Sequence, residues 1–172
     1  LVVQPGMPGA LLTYDRALTP AERRYAVLQL ALDDGRLLVY RDVRRLGTLL
    51  LLDDRRWAAY DSALGPEPLA ADFTALALHR ALQGSRAAVK KVLMDQRHVV
   101  GIGNIYANEA LFAARIDPSR SARQLTLDDA TRLHTEVRRI LTAAIASQGT
   151  TFRDYRTGTG ERGSFQLELL FY

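Results

Sequence analysis

The apolar residues of this 172-residue chain change their period once, at Gly65-Pro66-Glu67-Pro68, and that change demands a fold in two parts. Each proline fixes φ and disfavours helix at the residue before it, so the tetrapeptide is a stiff connector. Ahead of it, short apolar runs alternate with turn residues, as strands do. Leu1–Val3 runs into Pro5-Gly6-Met7-Pro8-Gly9, a turn built from residues that break regular structure. Tyr25–Leu32 alternates in part, Asp33-Asp34-Gly35 supplies hairpin chemistry, and Leu37–Tyr40 returns as the partner strand. Leu49–Leu52 reads as a short buried strand, and Thr19–Arg23 as a polar connection.

Beyond the connector the period is helical. Helices are expected over 69–82, 87–97, 105–114 and, most clearly, 127–147. In the last, Thr126 is placed to cap the first turn, and Asp128 and Asp129 complement the positive end of the dipole. Ala130, Leu133, Val137, Ile140, Leu141, Ala144 and Ile145 fall on one face, and Gly149 can close the helix in a left-handed conformation. Residues 150–164 read as a polar loop and Phe165–Tyr172 as a final strand. The class is therefore α+β. A partial antiparallel β-sandwich over residues 1–57 is followed by a helical domain over residues 58–172. Both ends of the chain are apolar and there is no initiator Met, as expected for a piece of a longer protein.

Charge and composition narrow the function. The net charge is +4, and Arg supplies every cation but Lys90 and Lys91. Arg presents a planar fork that fits phosphate oxygens, so the balance hints at a polyanionic partner. There is no cysteine, which excludes disulfides and thiolate metal sites within these residues and fits a reducing cytosol. His79, His98 and His134 lack zinc-ligand spacing, and no apolar run is long enough to span a membrane.

Three constellations carry chemistry. Gly101-Ile102-Gly103-Asn104 interrupts the helical pattern, with Lys90, Lys91 and Arg97 on the preceding helix. Glycines before a helix start leave backbone N–H groups unshielded, and the dipole attracts anions there. A phosphate clamp and a tight hairpin packed through its glycines both satisfy this pattern. Asp42-Val43-Arg44-Arg45-Leu46-Gly47 follows a strand and can aim one Arg at a phosphate while another projects; taken alone it also reads as a solvated turn. Met7, between Pro-Gly pairs, can be a wedge between base steps or an ordinary packing residue.

Taken together, these segments resemble the formamidopyrimidine-DNA glycosylase and endonuclease VIII family, closest to its formamidopyrimidine branch. Met94-Asp95-Gln96-Arg97-His98-Val99-Val100-Gly101-Ile102-Gly103-Asn104-Ile105-Tyr106-Ala107-Asn108-Glu109-Ala110-Leu111-Phe112 resembles its helix–two-turn–helix signature. The flanking pieces keep the family order: Gly6-Met7-Pro8-Gly9, Asp42–Gly47, Leu64–Leu69, then Gly149-Thr150-Thr151 and Gly163-Ser164-Phe165-Gln166.

The resemblance implies a DNA-repair glycosylase with abasic-site lyase activity, excising oxidised purines from duplex DNA. It assigns Met7 and Arg44 to the group that fills the void left by a flipped nucleotide, with Leu46 where the family usually has Phe. Lys90 and Asn104 match positions near the DNA phosphates, Arg86 lies near a further basic contact, and residues 153–164, with Arg156, match the loop that closes over the extruded base. Gln4 and Tyr25 stand where the family commonly has histidines near the DNA backbone, so Tyr25 is also expected at the DNA. The family's proline nucleophile, its neighbouring glutamate and its assisting lysine are expected before Leu1, leaving no catalytic residue in this chain. A structural zinc finger is expected after Tyr172, so no metal ligand or cofactor is expected within it. The implied protein is a monomer acting in the bacterial cytoplasm on nucleoid DNA. A non-enzymatic helix–two-turn–helix protein, or a packed domain without a ligand, are the rival readings.

Overall fold

β4 (Leu37–Asp42) organises the first part of the chain. β2 (Gly9–Tyr14) and β3 (Ala26–Ala31) flank it, both antiparallel, in the order β2-β4-β3. The register runs from Gly9 opposite Asp42 to Tyr14 opposite Leu37 on one side, and from Ala26 opposite Arg41 to Ala31 opposite Leu37 on the other. The β3 register shifts between Ala26 and Leu28. Gly35, at φ +82°, turns the expected β3–β4 hairpin. A second sheet joins β1 (Val2–Gln4) to β5 (Thr48–Leu50), with Gln4 opposite Thr48. Leu12, Leu18, Val39 and Tyr40 are buried in this part of the chain.

This computed structural model describes residues 1–5, 9–149, 164–167 and 169–171. They form two compact units: Leu1–Asp54 with the described residues of 147–167, and Arg55–Ala146 with those of 168–172.

Several sequence expectations for these elements give way. Thr19–Arg23 is not a plain connection: α1 (Pro20–Arg23) forms there with proline in its first turn and a capping box. The Thr19 hydroxyl accepts from the Glu22 N–H, and the Glu22 carboxylate accepts from the Thr19 N–H at 2.8 Å. The apolar run at 49–52 makes a strand only as far as Leu50, and Leu51 is 83% exposed. Asp54–Asp61 forms a helix, α2, which buries none of its residues and stacks Trp57 against Tyr60 at 6.0 Å.

The second unit is built from α3 (Ala75–Gln83), α4 (Val89–Met94), α5 (Asn104–Ala113) and α6 (Leu127–Ala146). α6 packs against both α3 and α5. Thr126 and Asp129 cap α6 reciprocally, at 3.1 and 3.0 Å. The expected face is buried through Ala144, but Ile145, in the last turn, is 68% exposed. The helix exits through Gln148 and Gly149, both at positive φ.

The described residues of 165–172 do not form the expected strand. Phe165–Leu167 is a 3₁₀ turn, and its donors explain why: Ser164 and Phe165 N–H groups bond the carbonyls of Ser147 and Gly149. Further on, the Leu170 and Phe171 N–H groups go to the buried Glu109 carboxylate on α5, at 2.8 and 2.9 Å. Among the described residues no helix is long and apolar enough to cross a membrane.

Candidate nucleic-acid interface

The turn that carries Arg44 and Leu46 is folded around one carboxylate. Asp42 is buried, and its two oxygens accept from the N–H groups of Gly47 (2.7 Å), Arg45 (2.9 Å) and Arg44 (3.1 Å) and from the Tyr40 hydroxyl (3.0 Å). The Gly47 N–H does most to hold the Asp42 carboxyl below its usual range, against the opposing effect of burial; Tyr40, Arg45 and Arg44 add to it. Arg45 takes a left-handed φ of +53°, and Arg44 and Leu46 are left exposed, Leu46 at 65%.

Strand pairing places the two ends of this turn, Asp42 and Thr48, opposite Gly9 and Gln4. Gly9 and Gln4 therefore stand at the same end of their sheets as the turn. Tyr25 belongs to that end too: its carbonyl accepts the Asp42 N–H at 3.0 Å, and the Arg24 guanidinium lies 5.3 Å from its ring centroid. Gln4 is exposed at the end of β1. Met7, Arg156 and residues 153–163 of the expected closing loop lie outside the described residues.

In the second unit the signature builds a groove. α4 stops at Met94 rather than running to Arg97. The reason is Asp95, whose carboxylate accepts the Arg97 N–H at 3.1 Å and so offers the backbone an alternative to the helix. The Arg97 guanidinium closes onto the same carboxylate at 2.6 Å and drives the Asp95 pKa far below the usual range. Arg97 is thus tied into the turn and does not line the groove. Gln96 stitches the two turns together, donating to Ile102 and Met94 carbonyls and accepting the Gly101 N–H at 2.8 Å. Gly65-Pro66 is laced to the same turns, through Gly65 N–H to Gln96 and Val100 N–H to Pro66.

Gly103 caps α5 without a side-chain hydrogen bond, and a Cβ placed there would meet nothing within 4 Å. The N-cap of this ten-residue helix therefore borders open space and supplies no side-chain hydrogen bond of its own. A groove of about 370 Å³ opens there, lined by Ala88, Lys90, Lys91, Met94, Asn104, Pro118 and Ser119. Its opposite wall is fixed by bonds from Val89 and Lys90 N–H groups to the carbonyls of Arg120 and Pro118. Lys90 and Asn104, far apart in sequence, are brought to one concavity; Asn104 is exposed there. Arg86 is exposed ahead of α4, its carbonyl accepting from Ser121, and lies outside the lining. A groove bordered by two lysines at a helix N-terminus can receive a phosphate.

Sequence reasoning quoted Asp42 and Gln96 only as parts of motifs and gave neither a task. The signal for Asp42 was an acid at the first position of a polar turn, where its oxygens can collect the following N–H groups.

The family described as the formamidopyrimidine-DNA glycosylase H2TH domain matches residues 64–156. The chain is 45% identical over 172 residues to the formamidopyrimidine-DNA glycosylase of Chloroflexus aurantiacus, covering all of this chain and 61% of that protein. It is 46% identical over 173 residues to that of Halorhodospira halophila, again over the whole chain and 63% of the relative. Among solved structures it resembles the MutM (Fpg) protein from Thermus thermophilus, with a TM-score of 0.81 and 39% identity over 95% of this chain and 60% of that one. It also resembles the Lactococcus lactis Fpg in complex with DNA containing an abasic site, with a TM-score of 0.76 and 29% identity over 97% of this chain and 59% of that one. The chain thus spans about three fifths of the length of these relatives. With its signature folded into the two-turn groove and its turns in family order, the chain belongs to the formamidopyrimidine-DNA glycosylase family.

Proposed function

We propose that this chain is the DNA-gripping part of a bifunctional glycosylase and abasic-site lyase that removes oxidised purines from duplex DNA. One observation carries the reading: Lys90 and Asn104 line one groove at the start of α5. Support also comes from the Asp42-bound turn, which holds Arg44 and Leu46 exposed at the sheet end where Gln4 and Gly9 pair. Relatives crystallised with abasic-site DNA and with Fapy-dG-containing DNA support the same partner.

In this reading the groove takes a phosphate and fixes register without reading sequence. Flipping a nucleotide costs a few kcal/mol of stacking. Met7 and Leu46 offset part of that by filling the gap, Arg44 donates to the orphaned base, and Tyr25 and Arg86 flank the backbone. Arg156 belongs to a loop, 153–164, that closes over the extruded base. Residues 1–57 supply the wedge-bearing domain and 58–172 the helical one. Base release and strand cleavage fall to an amine nucleophile that the family carries ahead of the segment matched here. The family's structural zinc is likewise placed outside this chain. The protein is proposed to act as a monomer on bacterial nucleoid DNA.

Equilibrium binding to an abasic duplex and to its intact counterpart, across a salt series, tests this. The chain is expected to prefer the abasic duplex, to lose affinity steeply with salt, and to lose the preference in Arg44→Ala. Equal affinity for both duplexes favours the non-enzymatic helix–two-turn–helix reading, and no salt-dependent binding at all sinks the DNA assignment.

A further inference from the structure

The groove before α5 holds one more cation than the family resemblance assigns to it. Lys91 lines it beside Lys90, Met94 and Asn104. Adjacent residues of an α-helix point about 100° apart, yet the groove borders both lysines. Lys91 is exposed, and Lys90 is half-buried. Among the described residues neither lysine pairs with a carboxylate, whereas Arg97, Arg120, Arg132 and Arg139 of the same unit all do. The acid beside the facing wall, Asp117, forms no ion pair with either lysine; its Oδ1 accepts the N–H and the hydroxyl of Ser119, at 2.8 and 2.7 Å.

Two lysines whose stems border one concavity, neither paired with a carboxylate, raise the positive potential around it and draw a polyanion there. Lysine acts on phosphate as a point charge on a flexible stem, so it needs no fixed approach geometry. Each strand of a duplex presents a phosphate about every 3.4 Å along the axis. A groove that admits one phosphate therefore brings its neighbour within reach of a second cation alongside.

We infer that Lys91 is a second phosphate contact, and that the groove grips two successive phosphates of one strand. This rests on the reading that the chain binds duplex DNA. The competing account is that Lys91 only complements the negative C-terminal end of α4.

The test compares the 172-residue chain with Lys91→Ala and Lys91→Arg, measuring affinity for an abasic duplex against salt and thermal unfolding without DNA. Lys91→Ala is expected to flatten the slope of log affinity against log salt by about 0.9 and to weaken binding about two- to fivefold at the lowest salt. Lys91→Arg is expected to keep the slope, and both variants the parent melting temperature. An unchanged slope in Lys91→Ala, with or without a lowered melting temperature, overturns the inference while leaving the DNA reading in place. A parent chain with no salt-dependent binding overturns both.

Discussion

Two glycines of the helical unit are glycine for different physical reasons, and substitution tells them apart. Gly65 has its Cα pressed against the backbone of another segment: a Cβ there would sit 2.6 Å from the His98 carbonyl carbon and 2.8 Å from the Val99 nitrogen. Neither atom is the end of a flexible side chain, so the connector would have to lift off the two turns it is bonded to. Gly101 has open space around it but a φ of +77°, which costs other residues about 1–2 kcal/mol. Gly101→Ala is therefore expected to lower stability by about that amount, and Gly65→Ala by more, as read from urea midpoints. The reverse order would contradict the packing described for Gly65. At this scale the sequence was partly legible. A Gly-Pro connector and a glycine-interrupted helix are visible in the residue types, whereas the close approach of Gly65 to His98 joins residues 33 positions apart and leaves no local trace. Likewise Arg44 was visible as a candidate. The buried carboxylate that folds its turn was not, because an acid in a polar turn usually faces water.

Among the elements, α6 was the easiest to foresee. Its apolar stripe holds its period over five turns, and packing against α3 and α5 reinforces what propensity suggests. Its start is fixed by the reciprocal Thr126–Asp129 pair. Thr126→Ala removes the acceptor for the Asp129 N–H and is expected to cost about 1 kcal/mol, seen as a lower urea midpoint with no change in slope. α1 was missed although Thr19-Pro20-Ala21-Glu22 spells out a capping box, because a single turn carries no period to detect. α2 was missed for a related reason: it buries nothing, so its sequence bears no apolar stripe. The final segment was misread because Leu-Leu-Phe looks like a strand. Its backbone donors are taken by a helix carboxylate, and no sequence pattern announces a partner 61 positions away. The groove shows the same limit. Asn104 and Lys90 could be named singly, but only the fold sets them on one surface.

At the scale of the whole molecule, the carboxylates decide how the protein meets acid. Glu22 is lowered to about 2 by Arg16 and then by Thr19; Asp34 is lowered by Arg36, Asp95 by Arg97, Asp117 by Ser119 and Asp42 by the Gly47 N–H. Each folded-state value lies below the unfolded one, near 3.9 for Asp and 4.3 for Glu. Their stabilisation is therefore complete above that range and fades as pH falls through the folded values. The urea midpoint is expected to hold steady down to about pH 5 and to drop progressively below about pH 4. A midpoint that stays level down to the Glu22 value would refute this account.

Glu109 has a different kind of consequence. Both peptide groups it holds lie at the far end of the chain, while its own helix begins at the groove. Leu170 and Phe171 are accordingly moored to that helix, and a single buried acid anchors them both.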